Sequence, residues 1–433
     1  EQVEKELPNI VFILIDDQGF ADAGTRTTDL SPLMPHMNSL RAEGVSLENY
    51  YSQQICTPAR ASLLTGKYPM HMGMQGLAIG AQDPWGLPLE HRLLPQYLAP
   101  LGYVSHAVGK WHLGFFHPDY LPHNRGFDTH FGFLGAKEAY YSHLLDERNK
   151  KKRYHDWSFN GQPYPEAVGA YSTDLITQRS VDIINSHDQA EGPLFLFVAH
   201  QNVHEPLESP PPESSYLEAD GAARKALTKL EPQYSHAQKN VRHVFGEMTL
   251  AVDVSVGKVV AALKDSGLYR NTVIVVASDN GGCSGYGASN YPLRGQKGTL
   301  FEGGVRVNAF VHSPLLPESC RGTSTDALFH VSDWLPTLLN GAVGGFSQWA
   351  VAGAEGGEET AEGDIMEASP DAATGDSDEA EPSEDDAQDQ GADLVGGDTV
   401  EEAREDTAEE TEEDTAEGTE EDTAEGTEED TAE

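Results

Sequence analysis

The chain has 433 residues, of which 71 are acidic and 28 are basic, and its formal net charge at pH 7 is −43. Residues 351–433 hold 35 of the acidic residues but only one basic residue, Arg404, which leaves 36 acidic and 27 basic residues in the first 350. Because this mildly acidic part does not resemble a basic nucleic-acid footprint, and its longest apolar runs are far shorter than ~20 residues, we expect neither a nucleic-acid partner nor a membrane span.

The first predicted element is a buried strand that ends in two aspartates. Residues 10–15 form the apolar run I-V-F-I-L-I, which is typical of a central strand in a parallel sheet. Asp16 and Asp17 follow directly, and a turn at the end of the strand would bring both carboxylates to one cation. An ordinary turn or a helix cap is the alternative for this pair.

The run C-T-P-A-R-A-S-L-L-T-G, from Cys56 to Gly66, predicts a helix that begins at a cysteine. The T-P pair suits the start of a helix, and the glycine suits its end. At a helix N-terminus, free N–H groups and the helix dipole would favour an anion beside Cys56. A small buried thiol is the alternative. The other cysteines, Cys283 and Cys320, are too few for a disulfide framework and either pair or stay free.

Three later apolar runs repeat the design of the first and are each followed by polar residues. They are residues 103–108 before G-K-W-H, 193–199 before H-Q-N-V-H and 272–277 before S-D-N-G-G. Apolar residues recur at helical spacing in 173–186 and 247–266, and a last helix is predicted at 333–339. Strands that alternate with helices predict an α/β doubly wound fold, whose ligands bind at the carboxyl ends of the strands.

Asp279 and Asn280 end the last of these runs, as Asp16 and Asp17 end the first. Carboxylate and amide oxygens together form a site that suits Ca²⁺, or Mg²⁺, better than zinc. The alternative for the segment D-N-G-G is an ordinary turn.

An acidic tract closes the sequence and ends in the repeat T-E-E-D-T-A-E-G, which begins at Thr411 and again at Thr419. The tract has few large apolar side chains and repels itself, so we expect it to be disordered. The predicted organisation is a catalytic domain over residues 1–345 and an acidic tail over 346–433.

Taken together, residues from about 8 to 339 resemble the sulfatase family, and most closely its arylsulfatase B (N-acetylgalactosamine-4-sulfatase) branch. The matching segments, in the family's order, are D-D-Q-G at Asp16, C-T-P-A-R at Cys56, G-K-W-H-L-G at Gly109, R-G-F-D-T at Arg125, Y-Y-S-H at Tyr140, N-V-H-E-P-L at Asn202, S-D-N-G-G at Ser278 and P-L-R-G-Q-K-G-T-L-F-E-G-G-V-R at Pro292. The resemblance implies an alkaline-phosphatase-like mixed sheet flanked by helices. It also implies a smaller C-terminal domain, in whose place this sequence carries the acidic tract.

The resemblance further implies a modified cysteine and a bound calcium ion. A formylglycine-generating enzyme would oxidise Cys56 to formylglycine, whose hydrated aldehyde would supply the nucleophilic hydroxyl. The same group would complete a calcium site formed by Asp16, Asp17, Asp279 and Asn280.

Five more residues take roles from the same resemblance. Arg60 would hold the formylglycine, and Lys110 would bind oxygens of formylglycine and sulfate. His112, which would share a face with Lys110 if the segment were extended, would accept the proton of the second hydroxyl. His204 and Lys297 would contact the sulfate ester, and one of them would protonate the departing alcohol.

The function implied is the hydrolysis of sulfate monoesters, on a sulfated sugar or an aryl sulfate, by a protein of the secretory route. Its location would be lysosomal or extracellular, or periplasmic in a bacterium. Two alternatives stay open. One is a phosphate or phosphonate monoester hydrolase of the same superfamily, and the other is an inactive protein that binds sulfated glycans.

Overall fold

The computed structural model describes residues 7–27, 29–76, 78–146, 152–211, 221–230 and 236–344. The predicted domain boundary at 345 and the predicted disordered tail lie outside these residues, so both stay predictions. Among the described residues, no helix has the length and apolar composition that crossing a bilayer requires.

Ten of the twelve described strands form one mixed sheet. In chain order the strands are β1 (Asn9–Ile15), β2 (Val45–Tyr51), β3 (Val104–Gly109), β4 (Thr129–Gly132), β5 (Leu144–Asp146), β6 (Arg153–His155), β7 (Ser158–Phe159), β8 (Gln162–Pro163), β9 (Leu194–Ala199), β10 (Thr272–Ser278), β11 (Ala309–His312) and β12 (Thr323–His330). The order across the sheet is β12-β2-β11-β10-β1-β9-β3-β4-β7-β8, and β5 pairs with β6 separately. The five strands from β10 to β4 all run parallel, while β11 and β7 are antiparallel to their inner neighbours.

Helices cover both faces of this sheet. The described helices are α1 (Pro35–Ala42), α2 (Cys56–Thr65), α3 (Leu94–Leu98), α4 (Ser172–Ser186), α5 (Gly221–Leu230), α6 (His236–Asp265), α7 (Glu302–Val305) and α8 (Trp334–Gly344). Val11, Ile13 and Ile15 of β1 join a core with α1, α4, α5 and α6, whereas the alternate side chains join a second core with α2, α3 and α8. Burial on both faces explains the continuous apolar run of β1 and confirms the predicted doubly wound α/β fold.

The predicted elements correspond closely to the observed ones. The four predicted strands are β1, β3, β9 and β10, and the helix predicted at 173–186 is α4. The helix predicted to begin at residue 247 begins earlier, at His236. Phe245 is buried, and its position before Met248 continues the helical spacing of apolar residues, so the shorter prediction missed a part of the same pattern.

The register of the parallel strands brings their carboxyl ends to one edge of the sheet. Ile15 pairs with Ser278, and Ala199 pairs with both Leu14 and Gly109. The polar segments that follow β1, β3, β9 and β10 therefore begin at neighbouring points of that edge. This is where ligands bind in open parallel sheets.

Candidate active site

The two aspartates after β1 lie together because the chain turns there. Asp17 has a φ of 60°, in the left-handed region that aspartate tolerates better than most residues. Its backbone N–H donates to Oδ1 of Asp279 over 3.2 Å, and Asn280 Nδ2 donates to Asp17 Oδ1 over 2.7 Å. The residues after β1 and those after β10 thus form one buried cluster, as the sequence predicted.

Cys56 is the first residue of α2 and is 2% exposed. Gly66, with a φ of 67°, ends the helix where the sequence predicted. One helical turn after Cys56, Arg60 donates from Nε and Nη2 to Asp279 Oδ2 over 3.2 and 3.0 Å. Ligand atoms of Cys56, Asp16, Asp17 and His204 all lie within 4.8 Å of one another.

Lys110 and His112 reach the same cluster by a route that differs from the predicted extended segment. β3 ends at Gly109, and the following amides bond to three different carbonyls, those of Ala199, Phe133 and Leu134. His112 has a φ of 61°, so the alternation of an extended strand does not apply to it. The hydroxyl of Thr57, in the first turn of α2, donates to the His112 carbonyl over 3.2 Å and ties this turn to the cysteine helix.

Each carboxylate of the cluster has a cationic partner. Lys110 Nζ contacts Asp16 Oδ2, Lys297 Nζ lies 2.7 Å from Asp17 Oδ1, and the Arg60–Asp279 pair is described above. Burial opposes ionisation of Asp16, but Lys110, His204 and Arg60 hold the pKa of its carboxyl far below the usual range. Burial together with Asp16 instead raises the pKa of Asp279 to about 6, against the opposing effect of Arg60.

The two histidines of the site have opposite electrostatic surroundings. Burial and Lys110 hold the pKa of His112 well below its ordinary value, so this imidazole is neutral at pH 7. Burial and Lys297 act in the same direction on His204, but Asp17 and Asp16 outweigh them and raise its pKa to about 10. At pH 7 the His204 imidazole therefore carries a proton on both ring nitrogens, whereas the His112 imidazole carries only one.

The hydrogen bonds of these histidines fix which ring nitrogen is free. His112 Nε2 lies 2.9 Å from the Ile79 carbonyl and donates to it, and Nδ1 has no hydrogen-bond partner among the described residues. His204 Nδ1 lies 2.6 Å from the Glu205 carbonyl and donates to it. Its Nε2 faces Asp17 Oδ2 at 3.7 Å.

Two buried oxygens in the cluster lack hydrogen-bond donors. Within the described part of the chain, neither Asp16 Oδ1 nor Asn280 Oδ1 has a partner, although both residues are fully buried. Leaving such groups unsatisfied costs about 1–3 kcal/mol each, so an unsatisfied pair at one site indicates a missing partner. A hard cation would be a suitable partner for both, because carboxylate and amide oxygens are the ligands that Ca²⁺ and Mg²⁺ prefer.

A buried ion network that sequence reasoning missed holds the loop after β1 and the loop after β10 together. Asp22 Oδ2 accepts from Gly19 N over 3.1 Å and from Ser289 N over 2.8 Å, and so joins the loop after β1 to the loop after β10. Arg242 of α6 donates to Asp22 Oδ1 over 2.7 Å and to both carboxylate oxygens of Asp29. Arg242 is 220 residues from Asp22, and no motif in the sequence links the two.

Two more supporting residues were also missed. Asn290 Oδ1 accepts from Gly282 N over 2.9 Å, and its Nδ2 donates back to the Gly282 carbonyl over 2.8 Å. Glu205 lies between His204 and Lys137, with Lys137 Nζ 2.6 Å from its Oε1. The segment N-V-H-E-P-L contained Glu205, but its sequence gave no reason to assign it a role.

Comparison with known proteins shows the family of this chain. A family model described as Sulfatase matches residues 8–344. The chain belongs to the sulfatase family. Of the resemblance predicted from the motifs, the family is confirmed, and the arylsulfatase B branch stays a prediction.

Curated sulfatases include several relatives of this chain. Mouse arylsulfatase J is 42% identical over 337 residues, which cover 78% of this chain and 53% of the relative. Mouse N-acetylgalactosamine-6-sulfatase is 32% identical over 71% of this chain and 57% of the relative, and human arylsulfatase A is 30% identical over 76% and 63%. The chain thus spans about half the length of the first two relatives.

A solved structure is similar to this chain in both fold and sequence. The crystal structure of Ps i-CgsB has a TM-score of 0.66 and 30% identity, and the match covers 78% of this chain and 72% of that one. The same protein in complex with k-i-k-neocarrahexaose gives a TM-score of 0.66 at 29% identity. The sulfatase fold of the described residues is therefore confirmed, including its large mixed sheet. Cys283 and Cys320 are both free thiols, so of the two possibilities that the sequence left open for them, the unpaired one is observed.

Proposed function

We propose that this protein hydrolyses sulfate monoesters of sulfated glycans, releasing the alcohol and inorganic sulfate. The observation that carries the proposal is the buried cluster in which Cys56, at a helix start, lies against Asp16, Asp17 and His204 with cations paired to every carboxylate. The N-acetylgalactosamine-6-sulfatases, by their name, act on a sulfated sugar, and Ps i-CgsB was solved with an oligosaccharide. These relatives support a glycan as the substrate class.

The charge balance of the cluster suits an anionic substrate. Three carboxylates face Lys110, Lys297 and Arg60, and protonated His204 lies beside the Glu205 carboxylate, so the site without a metal is close to neutral. A bound Ca²⁺ or Mg²⁺ ion would add two positive charges and would polarise the sulfate. Asp16, Asp17, Asp279 and Asn280 would hold the ion, and the unsatisfied Asp16 and Asn280 oxygens fit that role.

The remaining residues would donate and accept protons around the ester. Lys297 Nζ stays charged because Asp17 raises its pKa well above the ordinary value, although burial opposes this. His204 and Lys297 therefore offer two proton donors for the departing alcohol. Neutral His112, with Nδ1 free, offers the acceptor for a hydroxyl proton.

The modification of Cys56 belongs to the same proposal. As formylglycine, this residue would supply a hydrated aldehyde, in which one hydroxyl attacks the ester and the other can later expel sulfate. A formylglycine-generating enzyme is the partner this requires, and passage through the secretory route is the corresponding location. Cys56 lies at the start of α2, where the backbone N–H groups favour the anion that the reaction needs.

Paired substrates test the reaction class. We expect the protein, produced with a formylglycine-generating enzyme, to turn over 4-nitrophenyl sulfate with a kcat/KM at least about a hundredfold above that for 4-nitrophenyl phosphate. The reverse preference would support the phosphate-ester alternative instead. Tight binding of sulfated oligosaccharide without turnover of either compound would support the inactive-binder alternative.

Removal of the cation should abolish turnover reversibly. After chelation and dialysis, we expect Ca²⁺ or Mg²⁺ to restore hydrolysis of 4-nitrophenyl sulfate and zinc to restore little, because the available ligands are oxygens. Activity is to be measured together with the metal content by elemental analysis. Stoichiometric zinc in the active protein, with no calcium or magnesium, would contradict the proposed site.

A further inference from the structure

The loop between β10 and α7, residues 279–301, forms a rim beside the site; we call it the rim loop. Lys297 lies on its inner side, and its Nζ contacts Asp17. Its outer side carries large apolar side chains in solvent, with Tyr291 and Leu300 each 79% exposed. Large apolar side chains exposed on a loop beside a charged site are a common feature of binding surfaces.

Arg294, on the rim loop, differs from the other cations near the site in having no carboxylate partner among the described residues. Its side chain is exposed, and its guanidinium carbon lies 3.9 Å from the centroid of the Phe301 ring. Four other cations near the site are each paired with a carboxylate: Arg60, Lys110, Lys137 and Lys297. No carboxylate in the described part of the chain forms an ion pair with Arg294.

The rim loop holds this arginine in a defined place. Gly303 N donates to the Arg294 carbonyl over 2.8 Å, and Gly298 N donates to the carbonyl of Gln54, two residues before Cys56, over 2.7 Å. Gly295 has a φ of 92°, and a Cβ there would lie only 2.6 Å from Phe301 Cβ, so a glycine is needed for the ring to approach. The ring under Arg294 is thus fixed by the backbone.

Arg294 lies close to the site along the chain. Arg294 precedes Lys297 by three residues, so their Cα atoms are at most ~11 Å apart. Both side chains come from one anchored loop, and the Lys297 amide is itself bonded to the Gly282 carbonyl over 3.2 Å. An anionic group one or two sugar units from the reacting sulfate would fall within reach of Arg294.

We propose that Arg294, stacked on Phe301, is a binding subsite for a second anionic group of a polyanionic glycan, either a sulfate ester or a carboxylate. This inference rests on the proposed function. A guanidinium fork binds both groups through two parallel hydrogen bonds, and the aromatic ring fixes its plane. Tyr291 and Leu300 offer apolar surface to the sugar ring that carries the group.

Charge removal at two matched positions tests the subsite. Arg294→Gln is compared with Arg270→Gln, because Arg270 is also an exposed arginine but precedes β10 and lies at the opposite edge of the sheet. We expect Arg294→Gln to lower kcat/KM on a chondroitin sulfate tetrasaccharide by about tenfold, as for one lost charged hydrogen-bonding partner. Turnover of 4-nitrophenyl sulfate, which has no second anionic group, should stay unchanged in both variants.

A carboxyl-reduced tetrasaccharide distinguishes a carboxylate from a sulfate as the group that Arg294 binds. If the difference between the variants disappears on the reduced sugar, Arg294 binds a carboxylate; if it persists, Arg294 binds a sulfate. Equal effects of Arg294→Gln and Arg270→Gln on the unreduced tetrasaccharide would overturn the subsite. The thermal midpoints of both variants show whether either has lost its fold.

A separate measurement distinguishes failure of the proposed function from failure of the subsite. If the wild type does not turn over 4-nitrophenyl sulfate, the hydrolase proposal fails, and the subsite is then tested by the dissociation constant of the tetrasaccharide from calorimetry. A dissociation constant that is roughly tenfold larger for Arg294→Gln, and unchanged for Arg270→Gln, supports the subsite even if the protein turns nothing over. No binding by the wild type, or equal binding by both variants, contradicts it.

Discussion

Replacement of Cys56 by alanine should remove essentially all turnover of 4-nitrophenyl sulfate, by at least about four orders of magnitude, because loss of a nucleophile has effects of this size in other hydrolases. The fold should be nearly unaffected. Cys56 is the first residue of α2, no side-chain hydrogen bond caps the start of this helix, and alanine is the best helix former. The thermal midpoint should therefore fall by only a few degrees.

Cys320→Ala is the matched control for this variant. Cys320 is a free, half-buried thiol in the short turn Glu318–Cys320, away from the site residues. Its removal should leave both turnover and the thermal midpoint close to wild type. Substantial turnover by Cys56→Ala, measured after purification away from any host sulfatase, would rule out a nucleophile made from Cys56.

Replacement of Arg242 by methionine should be the most destabilising single change, at about 3–5 kcal/mol in the free energy of unfolding. Arg242 is the cation between Asp22, which is fully buried, and Asp29, whose side chain is 11% exposed. Methionine keeps much of the side-chain volume but leaves two carboxylates without their partner. Urea denaturation followed by circular dichroism measures the loss.

The same change should also weaken the cation site. Asp22 bonds the amides of Gly19 and Ser289, so disturbing it loosens the loops that carry Asp17 and Asn280. We expect a lower calcium affinity in any Arg242→Met protein that still folds. Adding Asp22→Asn should restore part of the stability, because the unpaired charge is then gone. A loss below about 1 kcal/mol for Arg242→Met would show that the network contributes little.

The sequence predicted the parts of the fold and site that depend on local pattern. Both faces of the sheet are buried at β1, so residues 10–15 are all apolar, and this pattern can be recognised from the sequence alone. The pairing of Asp16 and Asp17 with Asp279 and Asn280 followed from the rule that parallel strands end at one edge. The roles of Cys56, Arg60, Lys110, His112, His204 and Lys297 came from the family resemblance and stay proposals.

What the sequence could not predict depends on contacts between distant segments. Arg242 and Asp22 meet only because α6 packs beside the loop after β1, and a single chain carries no signal of that contact. The left-handed turn at His112 was missed because φ values above zero are rare for residues other than glycine. The stacking of Arg294 on Phe301 likewise depends on the turn at Gly295, which lets Phe301, six residues later, approach the backbone.

The most direct test of the account is the mass of the peptide that contains Cys56, measured against specific activity. The protein is produced in matched preparations with and without a formylglycine-generating enzyme, and each is digested and analysed. We predict a peptide that has lost sulfur and two hydrogens and gained one oxygen, with turnover of 4-nitrophenyl sulfate proportional to its fraction. Full turnover by protein whose Cys56 peptide is entirely the unmodified thiol would contradict the account.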